Sequence, residues 1–423
     1  MYSPMPSRTH RLTALALATA ALLSTGCAAT DAPSAAAADA SLDGSALVEV
    51  YTEELAPGRE VPRFQVDAGW PDLPDDLILG QVSGLAVDPE GDVWILNRPN
   101  SLGGTDIGAA QDPPTAVCCA PPPHIMQFSG ATGEYLSGWG GPDHAPEVDG
   151  MDQWPANVHG LFVDAEGTVW IGGNGDGDHV VLRFTPEGEF LQQYGRRGDT
   201  GGNMDPGTLG NPADVFHDTE TGEVVVADGY INKRILAFDA ESGEFLRFWG
   251  AYGTAPDAPT REGAFDQSQA TSTADGGADP ESESFGDIVH CVTRHPDGRY
   301  FVCDRRNNRI QIFRPTDEGE VEFVENLVIA PETGGTRTAS DIAFSPDGAF
   351  MYVADMMNGR VWILDAGSYE MLGAFGRNGR YPGEFIWLHS VETDADGNVY
   401  TTEVSTGRRV QKFVLTNGVG VAD

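Results

Sequence analysis

The chain has 423 residues, of which 64 are acidic and 25 basic, so its formal net charge is −39. A charge of this size and sign repels nucleic acid and anionic lipid headgroups at long range, which excludes both as electrostatic partners. With 40% hydrophobic residues and 53 glycines, the composition favours one turn-rich β domain over a helical protein.

The N-terminus has the pattern of an exported lipoprotein. Basic residues precede an apolar run over residues 12–23, and the string LLSTGC follows and contains Cys27. We expect residues 1–27 to be a signal peptide, with Cys27 bearing lipid and anchoring the protein in the cell envelope, in the periplasm or on the cell surface. Ser24 stands where the lipidation motif prefers a large aliphatic residue, so cleavage elsewhere in the Ala-rich stretch is the alternative.

Residues 28–46 are mostly Ala, Ser, Asp and Pro, without apolar periodicity. Such a segment cannot bury enough surface to offset its chain entropy, so we predict a disordered tether. Residues 47–423 then form a single folded domain.

This domain repeats one unit six times: an alternating apolar strand, a Gly-containing turn, a second strand, a polar turn, and a third strand that ends in an aromatic residue or Leu. The six hairpins begin at Gly84, Gly160, Asp214, Cys291, Asp341 and Ser390. Clear fourth strands follow in four units and a weaker one in a fifth. The repeat predicts an all-β fold, a six-bladed β-propeller, with a seven- or eight-bladed propeller or an open solenoid as the rivals.

The sixth unit lacks a fourth strand, which would leave a sheet edge unpaired. We expect the segment RFQVDAGW from Arg63 to supply that strand and close the ring. Residues 99–123 and 255–284, rich in Gly, Pro and acids, are predicted loops. Whether the first of them acts as a lid is left open.

Five cysteines in an exported chain permit disulfides. Cys291 and Cys303 flank a predicted turn almost symmetrically, so they would lie opposite each other on paired strands, where a disulfide is sterically possible. The adjacent Cys118 and Cys119 lie in a Pro-rich loop. A vicinal bridge, a soft metal site and two free thiols are all open for them.

Aligning the hairpins exposes one column at the start of the innermost strands, and alternate blades carry histidine in it. Its members are Ser83, His159, Ala213, His290, Ser340 and His389. Alternate blades of a six-bladed ring are about 120° apart and innermost strands line the axial channel, so the three imidazoles should converge. Three nitrogens with room for a fourth ligand suit a catalytic zinc, although iron, cobalt and manganese also accept this ligand type.

Three further residues follow second strands on the same face: Arg98, Tyr230 and Arg305. Structural turn chemistry, an Asp followed by Asn-x-Arg, accounts for the residues around the last two. It does not account for Tyr230 itself.

The repeats resemble NHL repeats, most closely in GYINKRI from Gly229 and RNNRIQIF from Arg306. The histidine column, Tyr230 and the two arginines together resemble peptidyl-α-hydroxyglycine α-amidating lyase, the lyase domain of peptidylglycine α-amidating monooxygenase. That resemblance implies zinc held in the motifs NVHGLFVD, DIVHCV and WLHSVE, and cleavage of the C–N bond of a peptidyl- or acyl-α-hydroxyglycine to an amide and glyoxylate. Tyr230 would take the hydroxyl proton, while Arg98 and Arg305 hold the substrate carboxylate.

The chain departs from the family in three ways. The family's channel calcium would use the backbone of Leu85 and Leu161 plus an acidic side chain after the third histidine, but Ser390 stands there, which weakens the expectation of calcium. The family's disulfide beside the catalytic tyrosine is absent, because Ile231 follows Tyr230. No hydroxylating copper domain accompanies the lyase, so a separate enzyme would supply the substrate, either a peptide or a different acyl conjugate.

Two other functions compete with the lyase. One is a non-catalytic exported NHL propeller that acts as a binding platform with a structural metal, since many propellers only bind. The other is a different propeller enzyme, such as a lactone hydrolase, but its metal-binding carboxylate and Asn are missing from the column.

Overall fold

The computed structural model describes residues 47–111, 113–258, 277–333 and 336–421, and it confirms the six-bladed β-propeller. The predicted signal peptide, Cys27 and the tether lie outside the described residues and stay predictions. Within the described part, no helix is long and apolar enough to cross a membrane.

Each blade is an antiparallel sheet, and its strands follow one another in order from the axis to the outer edge. In blades 1 to 3 they are Gln81–Val87, Val93–Arg98, Ile125–Phe128 and Tyr135–Trp139; Val158–Val163, Val169–Gly173, Val180–Phe184 and Phe190–Gly195; and Asp214–Asp218, Glu223–Asp228, Arg234–Asp239 and Phe245–Trp249. In blades 4 to 6 they are Val289–Arg294, Tyr300–Asp304, Arg309–Pro315 and Val321–Val328; Asp341–Phe344, Phe350–Asp355, Arg360–Asp365 and Met371–Phe375; and Leu388–Thr393, Val399–Glu403, Arg409–Leu415 and Phe64–Asp67.

Short elements complete the described structure. A two-stranded ribbon joins Glu147–Val148 to Met151–Asp152. Single 3-10 turns are Pro99–Ser101, Gly108–Ala110, Pro142–His144, Ala251–Gly253 and Arg305–Asn307.

The sixth blade combines both ends of the domain. Phe64–Asp67 pairs with Arg409–Leu415, the place to which we assigned the segment from Arg63. Two strands were not predicted: Leu47–Glu49 lies outside Phe64–Asp67, and Thr52–Glu54 pairs with Met371–Phe375 of blade 5. They are three residues long and lack an alternating apolar pattern, so the sequence gives little sign of them.

The Asp and Asn-x-Arg turns have the structural role that we assigned to them. Arg234 donates to Asp228 at 2.9 Å, and Arg309 donates to Asp304 at 2.8 Å, with all four side chains buried. The arginines also donate to loop carbonyls, such as that of Asp205 at 2.7 Å. Because each buried charge is paired and hydrogen-bonded, the turn binds the loop of its blade without a large desolvation penalty.

The cysteines form two bridges. Cys291 and Cys303 face each other across the first two strands of blade 4 and are disulfide-bonded. Cys118 and Cys119 are bonded to each other in the exposed loop after blade 1's second strand. That loop is fastened to blade 6 by an ion pair of 3.1 Å between Asp106 and Arg408.

Shortening Phe64 tests the closing strand. Phe64 is 5% exposed, and its ring centroid lies 4.9 Å from that of Phe375, so Phe64→Ala should lower the free energy of unfolding by about 3–5 kcal/mol. Urea unfolding measures this. Leu47→Ala, at a residue 45% exposed, is the control and should change stability by less than about 0.5 kcal/mol. Equal effects would show that the closing strand does not pack as described.

Candidate metal centre and active site

β-bulges position the histidine column. In blade 4, Val289 pairs with Asp304 and Cys291 with Cys303, so His290 has no partner in the ladder; His389 is left out in the same way in blade 6. In blade 2 the register shifts after His159, at Gly160. A bulge turns a side chain away from its usual direction, and in blades 4 and 6 the extra residue is the histidine itself.

The three imidazoles meet, as the column predicts. The ring centroids of His159, His290 and His389 are 4.8–5.0 Å apart, and their ligand nitrogens all lie within 4.8 Å of one another. All three are at most 4% exposed. Among the described residues this is the group of His, Cys, Asp or Glu that could hold a metal ion.

Each imidazole is oriented by the next blade. Nδ1 of His159 lies 2.7 Å from the carbonyl oxygen of Ala213, and Nδ1 of His290 lies 2.6 Å from that of Ser340. His389 hydrogen-bonds to the backbone of Ser83. The other three members of the column therefore supply the backbone acceptors, which leaves Nε2 of His290 buried without a hydrogen-bond partner in the described structure. A histidine that donates through one nitrogen to a carbonyl presents the other as a metal ligand.

Burial keeps these imidazoles neutral. It lowers the pKa of all three well below the ordinary value, and nearby arginines lower it further, as do the neighbouring histidines for His159 and His290. Neutral imidazole is the form that coordinates metal.

Tyr230 lies at the same centre. Its hydroxyl oxygen is 2.8 Å from Nε2 of His159, and its ring stands edge-on to the His159 ring at a centroid distance of 5.0 Å. The turn that carries it is held close to blade 4, because a Cβ at Gly229 would lie 1.9 Å from the carbonyl oxygen of Val289. Glycine is therefore required immediately before Tyr230.

The two predicted arginines flank Tyr230 in different ways. Arg98 donates to the Val158 carbonyl at 2.8 Å and to the side chains of Gln81 and Asn174 at 3.3 Å each. Burial lowers its pKa to about 10, so it stays charged at neutral pH. The guanidinium carbon of Arg305 lies 5.9 Å from the centre of the Tyr230 ring, and its side chain makes no hydrogen bond to another described residue.

The channel holds three carboxyl groups that our sequence analysis missed. Asp214, Asp341 and Glu392 line a cavity of ≈ 60 Å³ together with the histidines. Burial raises the pKa of Asp341 to about 7 and that of Glu392 to about 8, and it raises that of Asp214 well above the ordinary value. In the sequence, each of these acids lies one or three residues after a member of the histidine column. Acids are common in this chain, so that spacing alone did not indicate a group.

The expected calcium ligands also lie in this channel. Leu85 and Leu161 line the same cavity, and so does Ser390, whose hydroxyl is 3.2 Å from Nδ1 of His389. The residue directly after the third histidine is thus not acidic, although Glu392 lies three residues after His389. Calcium binding in the channel stays a prediction.

Comparison with known proteins finds relatives over most of the chain. The model of the NHL repeat family matches residues 288–313, which contain His290, the first two strands of blade 4 and most of the third. NHL repeat-containing protein 3 of Homo sapiens is 25% identical over 386 residues, covering 88% of this chain and 90% of the relative. Peptidyl-alpha-hydroxyglycine alpha-amidating lyase 2 of Drosophila melanogaster is 27% identical over 380 residues, covering 86% and 79%.

The chain is a six-bladed propeller with one NHL repeat in blade 4, and it is similar in sequence to the amidating lyases. Peptidyl-glycine alpha-amidating monooxygenase of Mus musculus is 24% identical over 367 residues, and the match covers 82% of this chain but 31% of that longer protein. The match to a solved streptogramin B lyase covers 86% of this chain and 98% of that chain at 12% identity, with a TM-score of 0.44. A likeness at that score carries no functional argument.

Adding one methyl group at Gly160 tests the orientation of His159. Gly160 has φ 68°, and a Cβ there would lie 2.6 Å from the Ala213 carbonyl oxygen that holds the imidazole. Gly160→Ala should therefore weaken zinc binding about ten- to hundredfold, measured by competition with a chelator. Gly91→Ala is the matched control, since Gly91 has φ 85° and open space around it. Equal zinc affinities in the two variants would contradict the assignment.

The channel carboxyls predict a pH-dependent stability. The folded pKa of Glu392 lies above its ordinary value, so its contribution is complete at low pH and is lost as the pH rises towards 8. In chelator-treated protein the unfolding temperature should fall as the pH rises from about 7 to about 8, a range in which histidines of the unfolded chain, with an ordinary pKa of about 6.5, are already largely neutral. Glu392→Gln should flatten that fall, and the exposed Glu90→Gln should not. An unchanged slope in Glu392→Gln would show that this carboxyl ionises freely in the folded protein.

Proposed function

We propose that the protein is a zinc-dependent carbon–nitrogen lyase that cleaves peptidyl- or acyl-α-hydroxyglycine to an amide and glyoxylate. The observation that carries the proposal is the placement of a tyrosine hydroxyl 2.8 Å from a nitrogen of a buried three-histidine group. Two arginines beside that tyrosine complete a site that a structural ion alone does not require.

The donor set fits zinc. His159, His290 and His389 present converging nitrogens in neutral form, and the Nε2 of His290 lacks a partner in the described structure. When bound, zinc would supply a Lewis acid that lowers the pKa of the substrate's α-hydroxyl group. Tyr230 lies beside this group, with its hydroxyl oxygen 2.8 Å from Nε2 of His159.

Tyr230 has the position of the proton carrier. In the proposed reaction its phenolate oxygen takes the proton of the α-hydroxyl, the C–O bond becomes a carbonyl, and the C–N bond breaks with its electron pair going to nitrogen. The phenol then returns the proton to that nitrogen, so the products are the amide and glyoxylate, and the enzyme is unchanged. The positive charges of Arg98 and Arg305 stabilise the phenolate between the two transfers.

We assign different roles to Arg98 and Arg305. Three N–H groups of Arg98 are already occupied by blades 1 and 2, so this side chain is held rigidly as a fixed positive charge. The Arg305 guanidinium makes no hydrogen bond to another described residue, so its paired N–H groups suit the substrate carboxylate. The substrate would be hydroxylated by a separate enzyme, and lipid-anchored export through Cys27 would place both reactions in the cell envelope.

Removing the Tyr230 hydroxyl tests the mechanism. The zinc-loaded protein should release glyoxylate from N-benzoyl-α-hydroxyglycine, and Tyr230→Phe should reduce kcat by about 10²–10⁴-fold while zinc content stays near one per chain. Tyr51→Phe, at a half-exposed tyrosine on the first N-terminal segment, is the control and should retain full activity.

Metal content and turnover together separate the functions. Bound zinc without glyoxylate release from any hydroxyglycine amide would reject the lyase and favour the binding platform. Activity that survives in Tyr230→Phe would reject the role of this hydroxyl.

A further inference from the structure

A second cavity opens beside the histidine centre, and it plays no part in the chemistry described above. It has a volume of ≈ 500 Å³ and lies between the loops of blades 5 and 6. Its apolar lining consists of Met356, Met357, Phe385, Ile386 and Trp387. Phe385 and Met356 are buried, whereas Trp387 is 43% exposed at the rim.

The cavity is joined to the active site through two arginines. The backbone N–H of Arg337 donates to the carbonyl of Arg305 at 3.0 Å, and the Arg337 guanidinium carbon lies 5.6 Å from the centre of the Trp387 ring. Trp387 is itself two residues before His389. A ligand that reaches from Arg305 past Arg337 therefore enters the cavity along the Trp387 ring.

The position of Trp387 is fixed by the backbone. Its φ is 54°, a left-handed conformation that is rare for a bulky residue, and its carbonyl accepts a hydrogen bond from Val404 at 3.1 Å. Residues held in such conformations are concentrated at ligand-binding sites, where the surrounding structure compensates for their cost. An indole fixed in this way provides a preorganised flat surface on which a ligand can stack.

The composition of the cavity defines the class of ligand. Methionine and aromatic side chains provide polarisable contacts that favour aromatic rings, and this volume is typical of small-molecule sites. The chain as a whole has a net charge of −39, so an apolar cavity next to the positively charged Arg337 and Arg305 differs from the rest of its surface. The arginines suit the carboxylate end of a substrate and the cavity suits an apolar end.

We propose that this cavity is the acyl subsite of the lyase and that it selects substrates with a large aromatic acyl group on the α-hydroxyglycine nitrogen. The inference rests on the proposed function for the direction of the substrate: the carboxylate lies at Arg305, the scissile C–N bond lies by Tyr230, and the aromatic group lies between Trp387 and the methionines. Arg337, stacked on Trp387, forms the boundary between the polar and apolar halves.

A series of three substrates tests the subsite. The N-acetyl, N-benzoyl and N-(4-phenylbenzoyl) derivatives of α-hydroxyglycine share the reacting atoms and differ in aromatic area. We expect kcat/KM to rise at least about tenfold from the acetyl to the 4-phenylbenzoyl compound. Trp387→Gly should abolish that rise, because it removes the indole while glycine adopts the left-handed conformation without cost.

Controls and a direct binding assay keep this test separate from the lyase proposal. Tyr381→Ala changes an exposed tyrosine outside the cavity lining and should preserve the preference. Binding of the unreactive N-(4-phenylbenzoyl)glycine and N-acetylglycine, measured by calorimetry, requires no turnover. If N-(4-phenylbenzoyl)glycine binds tightly and Trp387→Gly loses that binding, the result would support the acyl subsite even if no glyoxylate forms. Equal affinity for both ligands, or a preference unchanged by Trp387→Gly, would overturn the subsite whether or not the lyase is active.

Discussion

Hydrogen bonds between successive blades, made around the axis at one level, support both the ring and the site. Three of them come from the imidazoles of the column, which bond to the backbone of the following blade. The remaining steps are made by other residues of the same level, as where the Ser83 hydroxyl donates to the Val158 carbonyl at 3.0 Å and Asp214 accepts from the Val292 N–H at 3.1 Å. The groups that hold the blades in register are thus the same groups that orient the metal-facing nitrogens.

This dual use explains which parts of the site could be predicted from the sequence. A repeat places equivalent residues at equivalent radii, so reading down one column was enough to bring His159, His290 and His389 together. The strand-end position of Tyr230 follows from the same repeat. Bulges, by contrast, depend on the register between strands, and nothing in the residues around His290 indicates that the ladder skips it.

The missed features share a different physical origin. Asp214, Asp341 and Glu392 become a group because the ring narrows towards its axis, and a single blade carries no sign of that convergence. The apolar cavity is formed by loops of two blades. Phe385 and Met356 line it, but as apolar residues they do not differ in type from the core residues of the repeats. Neighbouring blades must be placed before such contacts can be counted. The short N-terminal strands were missed because they gain stability from the blade edge that they cover and not from their own residues.

The closing strand has a consequence for how the protein reaches its final state. Phe64–Asp67 finds its partner in Arg409–Leu415, almost the full domain away along the chain. Contacts of such long sequence separation form slowly, because a large loop must be closed before they repay its entropy. Arg409–Leu415 must be synthesised before the ring of blades can close, so the sixth blade stays incomplete while the chain is still being translated. The closing contact therefore forms last, after the strands of the other five blades are already available for pairing.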